Sequence, residues 1–511
     1  MVVSTPVLAS RVKVNVAANF LGKAWVGVTS LAFVPLYVRF LGVEAYGLIG
    51  VYVALQTIFS LLQSGSGVAF SREVARAIPS TDAEKLPDLL RTMEAILWPF
   101  AGVIMLVVAA LAPLLAHSWL DVSALPTADI QSAILVMGLG IAFQTPFALY
   151  SGGLVGLQRH GILNLILAGT ATMKYAGGIL VLWLFSPTIK TFFLWQALAE
   201  LVQTLFARSA TWRLVQALRA GRPRLNLSLL RDKWRYAAAI SGISLFAPLA
   251  SQVDKLVISK ILPLGMLGYY MIAVVAANGL FYIAYPLSLA VFPRFAELAA
   301  RSDERDLVRL YHKSCALMSM IMWPSALALA FFAPGILALW TGDPQIVKYS
   351  GPVLSILAIG TALNAMTILP HSLQLASGWT RLVLYTNAVA TLLLIPLVYV
   401  LTLRFGLPGA AAAWIVLNIG YVISYSSLMH RRVLRGERDE WLLHDVIAPL
   451  AAAVITIGTC SLLVPRDFET GRVLLGAALA FLLAIAASSA ATKGGRRWLL
   501  SYWREFAPGK V

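Results

Sequence analysis

Apolar segments of membrane-spanning length recur along the whole chain. Apolar residues make up 59% of its 511 residues and charged residues only 12%, whereas a soluble domain carries about 25% charged residues. Because roughly 20 apolar residues span the hydrocarbon core as a helix, the sequence predicts an all-α polytopic membrane protein with fourteen transmembrane helices. The predicted spans are 14–38, 42–66, 93–117, 131–157, 162–185, 189–207, 236–261, 266–291, 314–340, 351–376, 382–403, 407–429, 442–464 and 471–491.

The basic residues follow the topology that these spans imply. If the N-terminus is cytoplasmic, 30 of the 40 Lys and Arg lie in cytoplasmic segments, since seven lie outside or within two residues of the external end of a span and three lie deeper within spans. The external seven are Arg39, Lys190, Lys260, Lys348, Arg404, Arg466 and Arg472. This bias predicts cytoplasmic termini. It also assigns the net charge of +17 to orientation and contact with anionic lipid, so nucleic acid is not an expected partner.

The chain also contains an internal duplication. At an offset of 221, Arg39 falls on Lys260 and Gly47 on Gly268, and the pair Ala112-Pro113 followed by Trp119 falls on Ala333-Pro334 followed by Trp340. At an offset of 222, Gly156 and Arg159 fall on Gly378 and Arg381. A duplicated membrane block is typical of a transporter with two lobes and a substrate site between them.

The repeat sets the expected domain organisation. We expect a first lobe of six spans at 1–207 and a basic amphipathic cytoplasmic linker at 208–235. A second lobe of six spans at 236–430 and two accessory helices with a basic cytoplasmic tail at 431–511 follow. Both lobes enter from the same side, so the repeats are parallel around a central cavity. Residues 212–219 alternate apolar and basic positions at helical spacing, which predicts a helix on the membrane surface.

Polar side chains share one face on several predicted spans. Because a polar group in the bilayer is costly unless it meets a cavity or a partner, these faces supply the candidate substrate-binding residues. The candidates are Asn19, Lys23, Gln56, Asp254, Lys255, Asn278 and Tyr282. The alternative for such residues is hydrogen bonding between helices, and Lys23 lies about 14 Å into its span, where its stem could snorkel towards the interface.

Four further charged residues have distinct expected roles. Arg39 and Lys260 are expected at the outer mouth, and Lys174 and Glu200 lie near mid-membrane on consecutive spans. The latter two are expected to form a structural ion pair or to take part in coupling. The sequence contains no nucleotide-binding, catalytic or metal-binding motif and only two Cys, so we expect no cofactor, no metal and no enzymatic activity.

Four segments resemble bacterial polysaccharide flippases. They are NFLGKAWVGVTSLAFVPLYVRFLGVEAYG at 19–47, VDKLVISKILPLGMLGYY at 253–270, PRFAELAARSDE at 293–304 and PHSLQLASGWTRLVLYTN at 370–387. Together they resemble Wzx-type lipid-linked oligosaccharide flippases of the polysaccharide transport family, within the MOP exporter superfamily that includes MurJ-type flippases and MATE exporters. The resemblance implies a V-shaped fold and an undecaprenyl-diphosphate-linked sugar as substrate, with Lys23 and Lys255 facing the diphosphate by charge pairing.

The sequence is compatible with several functions. The first is a flippase in the bacterial inner membrane, coupled to an ion or to the membrane potential, with other glycan-assembly membrane proteins as partners. The alternatives are a MurJ-type lipid II flippase, a MATE-like drug antiporter in which Glu200 is the intramembrane carboxylate, and a non-transporting scaffold for glycan assembly. A glycosyltransferase or polymerase is disfavoured, because the longest predicted external loop is only 118–130. The sugar, the coupling ion and the oligomeric state are not specified by the sequence.

Overall fold

The computed structural model describes residues 22, 25–218, 222–230, 246–379, 381–463 and 470–492, and these residues contain helices and no strands. They form two compact units, Met1–Gly268 and Tyr269–Val511. The all-α membrane architecture expected from the sequence is confirmed. The predicted boundaries of the lobes, linker and tail stay predictions.

Within the described residues, the first unit is built from the following α-helices, the last of which continues into the second unit. Their bounds are α1 Val34–Leu41, α2 Val43–Ala77, α3 Leu86–Leu114, α4 Thr127–Gln144, α5 Phe147–Gly156, α6 His160–Thr172, α7 Gly178–Leu184, α8 Ile189–Gln216, α9 Phe246–Ala250, α10 Val253–Ile261 and α11 Leu264–Asn278, which crosses into the second unit. Two π-helical turns, Leu115–Trp119 and Met173–Gly177, extend α3 and connect α6 to α7.

The packing of the first unit centres on α4 and α2. Helix α4 packs against α3 and α8, and α2 packs against α5 and the α10 segment. Phe70, Leu90 and Tyr150 are fully buried where these helices meet. At the other end of α2, Gly42 separates α1 from α2 with φ 84, a left-handed conformation that glycine adopts without the steric cost of a Cβ.

Within the described residues, the second unit continues after α11 with a further series of helices. They are α12 Phe281–Ala300, α13 Glu304–Phe331, α14 Ala333–Thr341, α15 Pro344–Ala376, α16 Arg381–Gly420, α17 Ser426–Arg432, α18 Arg438–Glu440, α19 Ala448–Leu463 and α20 Thr470–Ala491. Helix α15 packs against α12, α13 and α16, and α19 and α20 pack on each other and on α13. Trp323 and Met322 lie fully buried in this core. The predicted accessory helices therefore contribute to the core of this unit.

Helix α16 is two spans joined by a kink. Gly406 interrupts it with φ 64 and ψ −140, and the continuous helical stretch Arg381–Arg432 contains 52 residues, or about 78 Å at 1.5 Å per residue. That length is more than twice the hydrocarbon core of about 30 Å. In the first repeat, α7 ends at Leu184, which an offset of 222 places on Gly406. The break between spans thus recurs at the same repeat position.

The number of spans follows from the helices only in part. Within the described residues, nine helical stretches are long and apolar enough to cross a membrane. Two shorter apolar helices, Trp25–Leu41 and Leu475–Ala491, accompany them. Predicted spans one and seven fall partly outside the described residues. The count of fourteen therefore stays a prediction.

Large apolar side chains project outward from several of these helices. Trp183 on α7, Leu392 on α16 and Leu462 on α19 are among the exposed apolar residues. Apolar surface on this scale is unfavourable in water but matches a lipid environment. The chain is therefore a multi-pass membrane protein.

Candidate functional site

A buried polar network occupies the interior of the first unit. Lys174 Nζ lies 2.7 Å from Glu200 Oε1, and Gln56 Nε2 donates to the same oxygen at 3.1 Å. Lys174 Nζ also donates to Gln203 Oε1 at 3.2 Å. Glu200 is only 2% exposed, so its charge is compensated almost entirely by protein groups. The side chains expected to pair thus lie in direct contact, and Gln56, expected as a cavity residue, joins them from α2.

A π-helical turn directs Lys174 into this network. Lys174 lies in the π-helical segment Met173–Gly177, where the normal ladder of helical hydrogen bonds is interrupted. Trp195 Nε1 donates to the carbonyl of Met173 at 2.7 Å, and Tyr37 Oη donates to those of Lys174 and Tyr175 at 3.0 and 2.8 Å. Single π turns in α-helices occur often at functional sites. Here, side chains from α1 and α8 satisfy the carbonyls of the turn.

The carboxylate of Glu200 is satisfied on one side only. Oε1 accepts from both Lys174 and Gln56, whereas Oε2 is buried and accepts no hydrogen bond from the residues that the structure describes. A buried acceptor without a donor is costly by about 1–3 kcal/mol. The free oxygen is therefore placed to accept a proton or a hydrogen bond from a ligand hydroxyl.

Lys255, the second predicted cation, is buried in α10 and already compensated. Its Nζ donates to the carbonyl of Ser251 at 2.6 Å and to Asp254 Oδ1 at 3.1 Å, and Lys255 is 7% exposed. The two neighbouring candidates thus form an ion pair with each other. An anion binding to Lys255 would have to replace Asp254 or share the ammonium group with it.

The remaining predicted site residues lie apart from this network or outside the described chain. Lys23 and Asn19 fall among the residues that the structure does not describe. Asn278, at the end of α11, and Tyr282, on α12, are both exposed. Arg39 is exposed in the last turn of α1. Roles for these residues stay predictions.

Lys260 lies at a contact between α10 and the end of α3. Its Nζ donates to the carbonyl of Ser118 at 2.7 Å and lies 5.4 Å from the centre of the Trp119 ring. Trp119 Nε1 in turn donates to Ser259 Oγ at 3.0 Å. Trp119 occupies a position that is also tryptophan in the second repeat. Its indole here links α10 to the π-helical end of α3 by a hydrogen bond.

The start of α11 lies in close backbone contact with α2. Gly47 on α2 packs directly against the backbone of Leu264, and Gly268 packs against the backbone of Val43. The amide of Leu264 also donates to the carbonyl of Asp121 at 2.8 Å. The two glycines that coincide at the 221-residue offset thus pack in the same helix crossing, where a Cβ on either would meet backbone atoms.

The sequence interpretation missed a buried carboxylate, Glu94. Its Oε1 accepts from Tyr150 Oη at 2.5 Å, Arg208 Nε at 2.8 Å and Trp212 Nε1 at 2.8 Å. Helix α8 continues to Gln216 and buries Trp212 against this carboxylate. The location of residues 212–219 on the membrane surface stays a prediction. The sequence contained one indication of this network: Glu94 lies at the start of the predicted span 93–117, and Arg208 directly follows the predicted span 189–207.

Two cavities occupy equivalent places in the two repeats. The first, of about 600 Å³, lies where α2 ends and α3 begins and is lined by charged side chains and by Leu229 of the linker. Its charged lining residues are Arg72, Glu73, Arg76, Asp82 and Lys85. The second, of about 480 Å³, is lined by Leu298 and Leu307, which offset 221 relates to Ala77 and Leu86 of the first. The first cavity carries more basic groups.

These features define a class of protein: an all-helical, internally repeated membrane protein with buried polar networks and without a described metal or nucleotide site. The chain belongs to the polysaccharide biosynthesis protein family, whose model matches residues 12–299. A second model, MatE, matches residues 239–400. The sequence-based identification of the family is confirmed.

Individual proteins extend this match. A protein of Shigella flexneri named "Putative O-antigen transporter" is 21% identical over 391 residues, which cover 76% of this chain and 90% of that protein. Among solved structures, lipid II flippase MurJ in an inward closed conformation has a TM-score of 0.73 at 13% identity, covering 96% of this chain and 99% of that one. The Vibrio cholerae MATE transporter VcmN has a TM-score of 0.59 at 16% identity, covering 85% and 98%. At these identities the structural matches establish the fold.

Proposed function

We propose that this chain is a flippase that moves undecaprenyl-diphosphate-linked oligosaccharide repeat units across the cytoplasmic membrane by alternating access. The observation that carries the proposal is the family match over residues 12–299, together with the likeness to a protein named as an O-antigen transporter. The relatives are named as transporters and a flippase, so the chain is a transporter rather than a glycan-building enzyme.

The buried charges support a transport role on physical grounds. In a bilayer, ionisable groups are expensive and mark substrate or ion pathways by default. The Lys174–Glu200 pair is buried on its acidic side, and the second carboxylate oxygen accepts no hydrogen bond from the described part of the chain. That oxygen suits a group that exchanges hydrogen bonds during a cycle, either a sugar hydroxyl or a coupling proton.

The predicted site residues receive specific roles in this proposal. Lys23 and Lys255 bind the diphosphate, since ammonium groups pair with phosphate oxygens. Lys255 does so by exchanging Asp254 for the substrate. The amide groups of Asn19, Gln56 and Asn278 and the phenol of Tyr282 contact the glycan. Arg39 and Lys260 lie at the outer mouth.

The setting follows from the same proposal. The chain lies in a bacterial inner membrane with both termini cytoplasmic, as the distribution of Lys and Arg favours. Its two lobes comprise 1–207 and 236–430, and the linker 208–235 is cytoplasmic. Residues 431–511 contain the two accessory helices and end in a basic cytoplasmic tail. Its partners are the lipid-linked oligosaccharide, the bilayer and other membrane proteins of glycan assembly.

Deletion in the native host tests the proposal. Removal of the gene should abolish surface glycan while lipid-linked repeat units accumulate facing the cytoplasm, and expression of the full chain should restore export. Accumulation is measured by exposing intact spheroplasts to a glycosidase and then extracting the lipid-linked intermediates, so that only outward-facing glycan is cleaved. Normal surface glycan in the deletion strain would refute the proposal.

A MurJ-type lipid II flippase is the second candidate, favoured by the TM-score of 0.73 to MurJ. Depletion of such a protein should stop growth and block peptidoglycan synthesis rather than remove surface glycan. A MATE-like antiporter is less well supported, because Glu200, its candidate carboxylate, already pairs with Lys174 at 2.7 Å.

A further inference from the structure

A partly buried histidine in the second unit lies between two carboxylates. His312 on α13 has Nδ1 at 2.5 Å from Asp445 Oδ2 and Nε2 at 3.1 Å from Glu437 Oε2. The side chains of His312 and Asp445 are 18% and 10% exposed. Asp445 lies in the π-helical turn Trp441–Ile447 that leads into α19, and Glu437 follows Gly436, whose φ is 86. The cluster thus connects α13 to the segment between the last span of the second lobe and α19.

The number of donors in this cluster determines its proton content. An ionised carboxylate only accepts hydrogen bonds, and a neutral imidazole donates from one nitrogen only. With both carboxylates ionised and the imidazole neutral, one ring lone pair would face a carboxylate lone pair. Both contacts are satisfied together only if the three groups hold one additional proton. Histidine has a higher ordinary affinity for protons than Asp or Glu, so the proton is assigned to the imidazole.

A metal ion does not explain the arrangement. Among the described residues, no group of three or more His, Cys, Asp and Glu side chains has positions that could hold a metal. The direct distance of 2.5 Å between Nδ1 and Oδ2 is that of a short hydrogen bond. The contacts are therefore hydrogen bonds between the protein groups themselves.

Other titratable groups surround the three residues. Tyr311 lies next to His312, with ring centres 5.4 Å apart, and its hydroxyl is 3.0 Å from His430 Nε2. His430 Nδ1 lies 2.7 Å from the carbonyl of Ser426. From the segment before α19, Arg438, Glu440 and His444 add further titratable groups, with His444 3.5 Å from Glu440. Cys315 lies one turn along α13 and is buried.

We propose that His312, Asp445 and Glu437 form a proton-binding site that fastens residues 437–447 to α13. With the proton bound, the imidazolium of His312 donates to both carboxylates, and residues 437–447 are held against α13. When the proton leaves, the neutral imidazole can donate to only one of the two carboxylates. The other contact becomes repulsive, and the attachment of residues 437–447 to α13 weakens. Since α19 and α20 pack on α13, occupancy of this site controls how firmly these last two helices are attached to the second unit. The proposal does not depend on which lipid is transported.

Nuclear magnetic resonance of ¹⁵N-labelled histidine tests the bound proton directly. The full chain is reconstituted in lipid nanodiscs at about pH 8, where an unperturbed histidine is neutral. The parent protein should show one imidazolium signal, which His312→Gln removes and His444→Gln retains. Asp445→Asn with Glu437→Gln should convert that signal to neutral imidazole, because both anionic partners are lost.

Hydrogen exchange keeps the test decisive if a variant folds poorly. Raising the pH of the parent protein until the imidazolium signal disappears should increase exchange at residues 437–447 by more than the increase at α15. His312→Gln should exchange faster than the parent at residues 437–447 at every pH. The matched control His444→Gln should exchange at the same rate as the parent. A neutral His312 in the parent at about pH 8 would overturn the proposal. So would hydrogen exchange at residues 437–447 that does not change when the imidazolium signal of His312 disappears.

Discussion

At the scale of single residues, Lys174 and Glu200 depend on each other. Their 2.7 Å contact lies where Glu200 is almost fully buried. Removing one partner of a buried pair leaves an uncompensated charge and costs about 3–5 kcal/mol, whereas replacing both partners is often far less costly. The pair therefore makes a stability prediction that is separate from any role in transport.

Lys174→Ala should lower the stability and abundance of the protein, and adding Glu200→Gln should restore much of both. Thermal unfolding of the detergent-purified protein and quantitative immunoblots of membranes measure the effect. Lys190→Ala, which alters an exposed lysine one residue into α8, is the matched control and should leave stability unchanged. Equal stability of Lys174→Ala and the parent would show that the ion pair contributes nothing.

Lys23 carries the sharpest functional prediction at this scale. Lys23→Ala should abolish surface glycan with normal protein abundance, because the diphosphate loses its cation. Lys23→Arg should retain part of the activity, since the charge survives while its geometry changes. Complementation of a flippase-deficient strain, with immunoblots, provides the measurement. Lys13→Ala, before the first predicted span, is the control. Full complementation by Lys23→Ala would mean that the lysine snorkels to the interface.

At the scale of helices, Gly47 and Gly268 allow α2 and the start of α11 to approach closely. A Cβ on either glycine would overlap backbone atoms of the facing helix rather than a movable side chain. Backbone cannot yield without separating the helices, and overpacking typically costs about 1–3 kcal/mol.

Gly47→Ala and Gly268→Ala should therefore each lower the unfolding temperature of the purified protein. Gly265→Ala is the matched control: it lies on α11, and a Cβ there would meet nothing within 4 Å. Replacing that glycine should be neutral or slightly stabilising, because alanine favours helix. If all three variants unfold at the parent temperature, α2 and α11 do not pack as described.

The sequence predicted helices well wherever apolar length alone decides the structure. It predicted one span on each side of Gly406, within the long helical stretch Arg381–Arg432, because residues 382–403 and 407–429 are each apolar over the thickness of a membrane. It did not predict the π turn at Lys174. That turn depends on donors from Tyr37 and Trp195, and residue spacing along one helix carries no information about partners on others.

The candidate site was predictable to a lesser degree. Mid-membrane charges such as Lys174 and Glu200 stand out in an apolar sequence, and they are in contact in the structure. The Glu94 network was missed, since its partners lie 56 to 118 residues away and occupy span ends, where charges are common. The same reason hid the cluster around His312, whose carboxylate partners lie beyond the last span of the second lobe.

At the scale of the whole molecule, the distribution of charge predicts topology. Reporter fusions after Val511 should give a cytoplasmic signal, and fusions in the loop near Asp467 should give an external one, because 30 of 40 Lys and Arg lie on one side in this arrangement. Fusions that retain the whole chain before the reporter keep the charge balance intact. An external signal from the C-terminus would contradict the even number of spans.

The central claim is that the chain moves lipid-linked oligosaccharide between leaflets, and reconstitution tests it most directly. The purified full chain is placed in liposomes with fluorescent undecaprenyl-diphosphate-linked repeat units, and translocation is followed by their access to a membrane-impermeant quencher. The parent protein should give translocation well above that in protein-free liposomes, and Lys23→Ala should lose it. Translocation no faster than in protein-free liposomes, or transport of lipid II alone, would contradict it.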